Sequence, residues 1–462
     1  MHHKSTMKIM IKKCLIFLLT IFFLYGCKNY IKSTFRDRPN IIIISVDTLR
    51  PDHLGCYGYK KDTSPNVDQF AEESLLFEKC FSHASFTGPS CASLLSGFLP
   101  HETKVILNYS IVQVDVPMLA EILKDSGFKT YGAVSNFILR KKQGFEQGFD
   151  MYDSQMDEAV LNEKYIYERI AEKTTDCVIR LLKQHTGGPF FLWVHYQDPH
   201  GPYTPQAPYN AMFHDLKDDP FDLEFNDTTS GKGGIPSYQK LQENHDYHYY
   251  VAQYDGEIRY FDEHFGRLVA FLKEIHQYDN SIIILTADHG EALGEHDYYF
   301  AHGHGLTNDL IHVPLFIRSG KTLKGKRKDF VQHLDIVPTI LKTLQIKEPF
   351  VYRGRDLLTH PLQSTIISSE LGSDHISGIS EGMKLILDGD NTSLFDIQED
   401  FYETQTLASN GTYKNILISM VNETKKLYKE DLLSLKIVEK MPSLTDTEKE
   451  KIRSLGYAEP GQ

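Results

Sequence analysis

From residue 40 to residue 46 the chain reads Asn-Ile-Ile-Ile-Ile-Ser-Val. A strand with one wet face alternates apolar and polar side chains, whereas a strand covered on both sides has no polar positions to spare. Comparable apolar runs recur at 130–134, 190–195, 281–285 and 314–317. Helical patterns fall between them, at 118–125, 157–184, 247–275 and 335–344. This alternation predicts an α/β fold, a mostly parallel central sheet sandwiched by helices. Sheets of this kind gather their chemistry at the carboxyl ends of the strands. Asp47, the stretch from His195 to His200, and Asp288 with His289 all stand at such ends.

The 462 residues carry 49 basic and 62 acidic side chains, for a net charge of −13. Lys4, Lys8, Lys12 and Lys13 precede an apolar run at 14–25, and residues 1–26 contain no acid. That is the pattern of a secretion signal, too short for a comfortable membrane span. Its loss takes the charge to −17, which opposes nucleic-acid binding. The segment ends Leu24-Tyr25-Gly26-Cys27, similar to a bacterial lipobox. The similarity implies cleavage before Cys27, lipidation of its sulfur and an exported lipoprotein tethered to a membrane through residues 27–38. Cys56, Cys80, Cys91 and Cys177 show no C-x-x-C spacing, and their pairing is left open.

Residues 39–358 are expected to form the catalytic domain and 359–462 a smaller α+β subdomain, with a terminal helix from Leu432 onward. The polar stretch 204–243 has no period and predicts a surface excursion, a lid or rim for the site.

The chemistry centres on Phe86-Thr87-Gly88-Pro89-Ser90-Cys91-Ala92-Ser93-Leu94-Leu95-Ser96-Gly97. Here a hydroxyl stands at a helix start, where free backbone N–H groups favour anions. A hydroxyl attacks an ester once something lowers its pKa, and a metal ion does so. Asp47, Asp288 and His289 sit at strand tips and, with the Thr87 oxygen, make a four-point cage. The imidazole suits Mn or Zn better than Ca, which prefers oxygen donors throughout.

The stretch resembles the signature of the sulfatase family, within the alkaline-phosphatase superfamily: Cys or Ser, x, Pro, x, Arg, then x-Ser-Leu-Leu-Thr-Gly. Pro89, Ser93, Leu94, Leu95 and Gly97 agree. Thr87 stands where the formylglycine precursor is expected, and Cys91 stands in the Arg slot. Oxidation of a Thr gives a ketone, not the aldehyde that sulfatases use. Superfamily relatives with Thr in this slot transfer phosphoryl groups. The resemblance implies one divalent metal, Mn, Zn or Mg in preference to Ca, held by Asp47, Thr87, Asp288 and His289. It implies catalytic roles for Thr87, His200 and His302, the first imidazole lying in Asp198-Pro199-His200 and the second upstream of Val313-Pro314. Asn136 and His304 are implied substrate contacts. A second ion, held by Asp198, His200 and His302, stays open.

Segments 144–150, 335–339, 352–356, 394–400 and 455–457 extend the resemblance over most of the mature chain. The implied activity is hydrolysis of a phosphate, phosphonate or sulfate ester of a small molecule, glycan or lipid, with phosphoesters favoured. The alternatives are a true sulfatase, a phosphoryl transferase, or a non-catalytic lipoprotein that binds sulfated or phosphorylated glycans. Oligomeric state is not legible.

Overall fold

The computed structural model describes residues 38–456, apart from 114, 162–163, 215–220, 360–364, 371–374 and 433–444. The expected leader, Cys27 and the tether up to residue 37 lie outside the described residues, as does Tyr457. Sixteen strands occur among the described residues. They are β1 (Asn40–Val46), β2 (Leu75–Phe81), β3 (Lys129–Val134), β4 (Met151–Asp153), β5 (Asp157–Leu161), β6 (Lys164–Glu168), β7 (Phe190–Tyr196), β8 (Ser281–Ala287), β9 (Ala292–Leu293), β10 (Tyr299–Ala301), β11 (His312–Ser319), β12 (Gly325–Gln332), β13 (Ile366–Glu370), β14 (His375–Ser380), β15 (Met383–Asp388) and β16 (Asn391–Asp396).

Eight of them form one sheet in the order β12-β2-β11-β8-β1-β7-β3-β4. β1 lies between β7 and β8, parallel to both, with Ile43 level with Trp193 and Ile284. Only β11 runs against its neighbours. The sheet is therefore mostly parallel, as the apolar runs predicted. Ile41, Ile42, Ile43 and Ile44 are all fully buried. Each contributes about 1.5–3 kcal/mol by leaving water. Helices Pro65–Glu72, Ala171–Lys183 and Tyr247–Glu274 pack together in one layer, and Thr87–Ser96, Leu119–Asp125 and Ile336–Thr343 in another.

A smaller antiparallel sheet, β13-β14-β15-β16, follows. Helix Lys414–Leu432 covers it, with Met420 packed on Leu385, Leu387 and Leu394. β13 also grips the main domain: Ser369 N donates to His83 O (3.0 Å) and Ser368 Oγ to Ser82 O (2.6 Å). Ser85 Oγ donates to Glu370 Oε1 (2.6 Å). Between the sheets, Lys384 Nζ meets Glu403 Oε1 at 2.7 Å and Asn308 Oδ1 at 2.9 Å, with both charged side chains fully buried.

Two expectations need correction, and one open point closes. The helix expected over 157–184 is helical only at Ala171–Lys183, because 157–168 pairs as the hairpin β5–β6. Its Tyr165-Ile166-Tyr167 run suits a pleated strand better than a helix, since β-branched and aromatic side chains lose rotamer freedom on a helix. The terminal helix expected from Leu432 begins at Lys414 and ends at Leu432. A further helix spans Asp446–Ser454. The four body cysteines are free thiols.

Among the described residues no helix is long and apolar enough to cross a membrane. The polar excursion is partly packed inward. Ile235 and Gln239 are buried, and Gln239 Oε1 accepts from Tyr203 N (3.2 Å), bracing the loop that carries His200.

Candidate active site

Asp47, Thr87, Asp288 and His289 converge at the carboxyl end of the main sheet, all fully buried. β1 delivers Asp47 and β8 delivers Asp288 and His289, and parallel register holds the two tips level. Asp47 N continues the ladder to Tyr196 O (2.9 Å). Thr48 then turns into the left-handed region (φ 54°), which brings its N–H to Asp288 Oδ1 (3.3 Å). His289 N donates to the same oxygen (2.9 Å). Asp288 Oδ1 is thus spent on backbone, and Oδ2 faces the site, 3.6 Å from His289 Nε2.

His289 Nδ1 lies 2.9 Å from Gly290 O. A carbonyl only accepts, so Nδ1 carries the proton and Nε2 keeps its lone pair for the site. That nitrogen is 3.3 Å from Thr87 Oγ1 and 3.6 Å from Asp47 Oδ1. The sequence reading gave Asn136 a substrate contact. Its Nδ2 instead donates to Asp47 Oδ2 (2.6 Å) while its Oδ1 caps Ile138 N (2.8 Å), so it positions a carboxylate.

The donor set has the composition of a divalent-cation site. Asp47, Asp288 and His289 offer ligand atoms within 4.8 Å of one another. Asp47 Oδ1 is buried with no hydrogen-bond partner. Burial and the neighbouring Asp47 push the Asp288 carboxyl well above its usual range. Burial also opposes charge on Asp47, but the imidazoles of His200, His195 and His289 outweigh it and hold that carboxyl low. Two buried carboxylates forced apart in this way, with one oxygen left unpartnered, fit a dication.

Thr87 opens helix Thr87–Ser96, whose residues are all buried. The expected row of free N–H groups is not there. Gly88 N donates to Asn108 Oδ1 (2.7 Å), Pro89 has no N–H, and Ser90 N returns to Phe86 O (3.1 Å). The sequence reading missed Asn108, whose Nδ2 is buried and has no hydrogen-bond partner. No local signal marks it, because its site is made by a residue twenty positions upstream.

His200 and His302 stand side by side with ring centroids 4.9 Å apart, and His302 lies 4.5 Å from the His289 ring. His302 Nδ1 meets Glu291 Oε2 at 3.1 Å. Burial pushes the Glu291 carboxyl up to about 8, and burial, with the neighbouring His289, pulls the His302 imidazole well below its ordinary value. His304 is exposed, beside Tyr298 at 5.8 Å, and sits at the rim.

Among the described residues, Asp198, His200 and His302 do not bring ligand atoms within 4.8 Å of one another. Asp198 couples to Glu257 and Glu168, and burial drives its carboxyl to about 7.

A family model described as Sulfatase matches residues 39–346. The chain is 24% identical to the N-acetylglucosamine-6-O-sulfatase of Bacteroides thetaiotaomicron, over 88% of this chain and 90% of that enzyme. A structure holding its substrate D-glucosamine-2-N,6-O-disulfate superposes with a TM-score of 0.70, at 21% identity, covering 85% of this chain and 98% of that one. The phosphonate monoester hydrolase of Agrobacterium radiobacter superposes with a TM-score of 0.68, at 19% identity, covering 85% and 96%. With a matching model over most of its length, this chain belongs to the sulfatase family of ester hydrolases.

Proposed function

We propose that the protein is a metal-dependent hydrolase of phosphate or phosphonate esters that uses Thr87 as its nucleophile, with phosphodiesters favoured. What carries the reading is Thr87 Oγ1, 3.3 Å from His289 Nε2 and beside the two carboxylates. Asp47, Asp288 and His289 would hold the cation, which would supply Lewis acidity that favours ionised Thr87 and would offset charge on the ester. Thr87 Oγ, its proton lost to solvent as the cation binds, attacks phosphorus, and the bond to the leaving oxygen breaks. The proton carried by Glu291 passes through His302 to that oxygen. Water then releases the acid from Thr87. Asn108 Nδ2 donates to a non-bridging oxygen, and His200 lines the same chamber. Zn, Mn or Mg suits this donor set better than Ca.

The exported, lipid-anchored location expected from residues 1–27 stands as part of this proposal, as do the boundaries 39–358 and 359–462. A glycan or lipid ester is the proposed substrate class.

The test is a panel of 4-nitrophenyl phosphate, bis(4-nitrophenyl) phosphate, 4-nitrophenyl phenylphosphonate and 4-nitrophenyl sulfate with each metal. Phosphorus esters are expected to turn over fastest, and Thr87→Ala to lower kcat by roughly 10³-fold or more. Full activity in Thr87→Ala refutes the reading. The rival, a true sulfatase, takes its support from the sulfatase relatives, and preference for the sulfate ester in the same panel establishes it.

A further inference from the structure

Behind Asp288 lies a second set of buried donors that the reaction above leaves unused. Cys91, His195 and Asp288 offer ligand atoms within 4.8 Å of one another, and all three residues are fully buried. Asp288 belongs to both sets. Its Oδ2 faces His289 Nε2 at 3.6 Å and Cys91 Sγ at 4.0 Å. His195 Nε2 lies 3.3 Å from Asp47 Oδ2. We propose that Cys91, His195 and Asp288 form a second cation site, of the zinc class, that shares the Asp288 carboxylate with the first.

Three observations support it. The first is donor chemistry: thiolate with imidazole and carboxylate selects Zn and similar borderline ions over Mg and Ca. The second is the tautomer of His195. Ser45 Oγ accepts the indole proton of Trp193 (2.9 Å) and lies 2.9 Å from His195 Nδ1, while its own proton reaches Val194 O at 3.5 Å. With a cation bound, His195 Nδ1 would donate to Ser45 Oγ, and Nε2, which otherwise contacts Asp47 Oδ2, would be the ligating nitrogen. Such second contacts commonly orient a ligating imidazole. The third is charge. Among the described residues no Lys or Arg pairs with Asp47 or Asp288, and Asp47 Oδ1 is buried without a partner. One dication only balances the two carboxylates. A second, set against one thiolate, leaves one net positive charge to meet an anionic ester.

Binding releases one proton from the Cys91 thiol, and no electron changes hands. The inference rests on reading Asp47, Asp288 and His289 as the first site, and the test separates the two. Metal-free full-length protein is loaded with Co(II), dialysed, and examined by metal analysis and absorption spectroscopy. Two cobalt ions per chain are expected, with a near-ultraviolet thiolate-to-cobalt band. Cys91→Ser is expected to bind one ion and lose the band, with circular dichroism unchanged. Cys177→Ser, at a buried thiol elsewhere, is expected to keep both ions and the band. One cobalt per chain in the unaltered protein, or a band that survives Cys91→Ser, overturns the second site and leaves the first standing. No bound cobalt at all overturns both.

Discussion

One amide, that of Asn108, has two tasks in the proposed function: Oδ1 receives Gly88 N at the start of the helix that carries Thr87, and Nδ2, buried without a hydrogen-bond partner, is the proposed donor to the ester. The tasks are separable by substitution. Asn108→Asp keeps an acceptor for Gly88 and deletes the donor. It is expected to lower kcat by about 10²–10³-fold, the usual cost of one preorganised donor. Thermal unfolding is expected to shift little. A variant with unchanged kcat removes Asn108 from the chemistry. The same scale explains why Asn136 misled a reading of the sequence. An Asn after a strand advertises a donor, but only the fold shows that Asp47 lies 2.6 Å away and takes it. Asp47, Asp288 and His289 were legible because strand tips in a parallel sheet converge by construction.

At the scale of elements, the loop after β8 has little room to move. Gly290 N donates to Leu310 O (2.8 Å), and a Cβ on Gly290 would lie 2.0 Å from Asp309 O. Gly290→Ala must therefore push the loop away from helix Asn308–Ile311 and carry His289 with it. The expected cost is about 1–3 kcal/mol in chemical denaturation, with weaker cation binding in a titration. Wild-type affinity in this variant disproves that coupling. Five apolar runs marked β1, β3, β7, β8 and β11, since burial on both faces leaves a signature in one strand alone. β12 reads Gly-Lys-Arg-Lys-Asp-Phe-Val-Gln and gave no such signal, because it lies at the sheet edge where charge is tolerated. The β5–β6 hairpin is hard to read from sequence because its β-branched and aromatic run is short and adjoins a true helix, so one helical period can be drawn through both.

For the whole molecule, the buried pair Lys384–Glu403 within the smaller domain clasps Asn308 of the main domain, and together they make the joint. Lys384→Met strands a buried carboxylate and is expected to cost about 3–5 kcal/mol by denaturant unfolding. Adding Glu403→Gln removes the stranded charge yet keeps an acceptor for Asn308 N, which now bonds Glu403 Oε2 at 2.6 Å, and is expected to recover most of the loss. A double variant as unstable as the single one denies the joint its charge-pair character. The α/β class and the separate C-terminal sheet were legible from pattern. The joint was not, because a lone Lys in a strand reads as solvent-facing until the fold sets Glu403 and Asn308 beside it.

The grip of β13 on residues 82–85 has a temporal consequence. Thr87 follows that loop directly, yet the strand that steadies it is made far later in synthesis. A growing chain thus holds Thr87 long before β13 exists to steady the loop in front of it, and those bonds form only once residues 366–370, in the last quarter of the polypeptide, have been made.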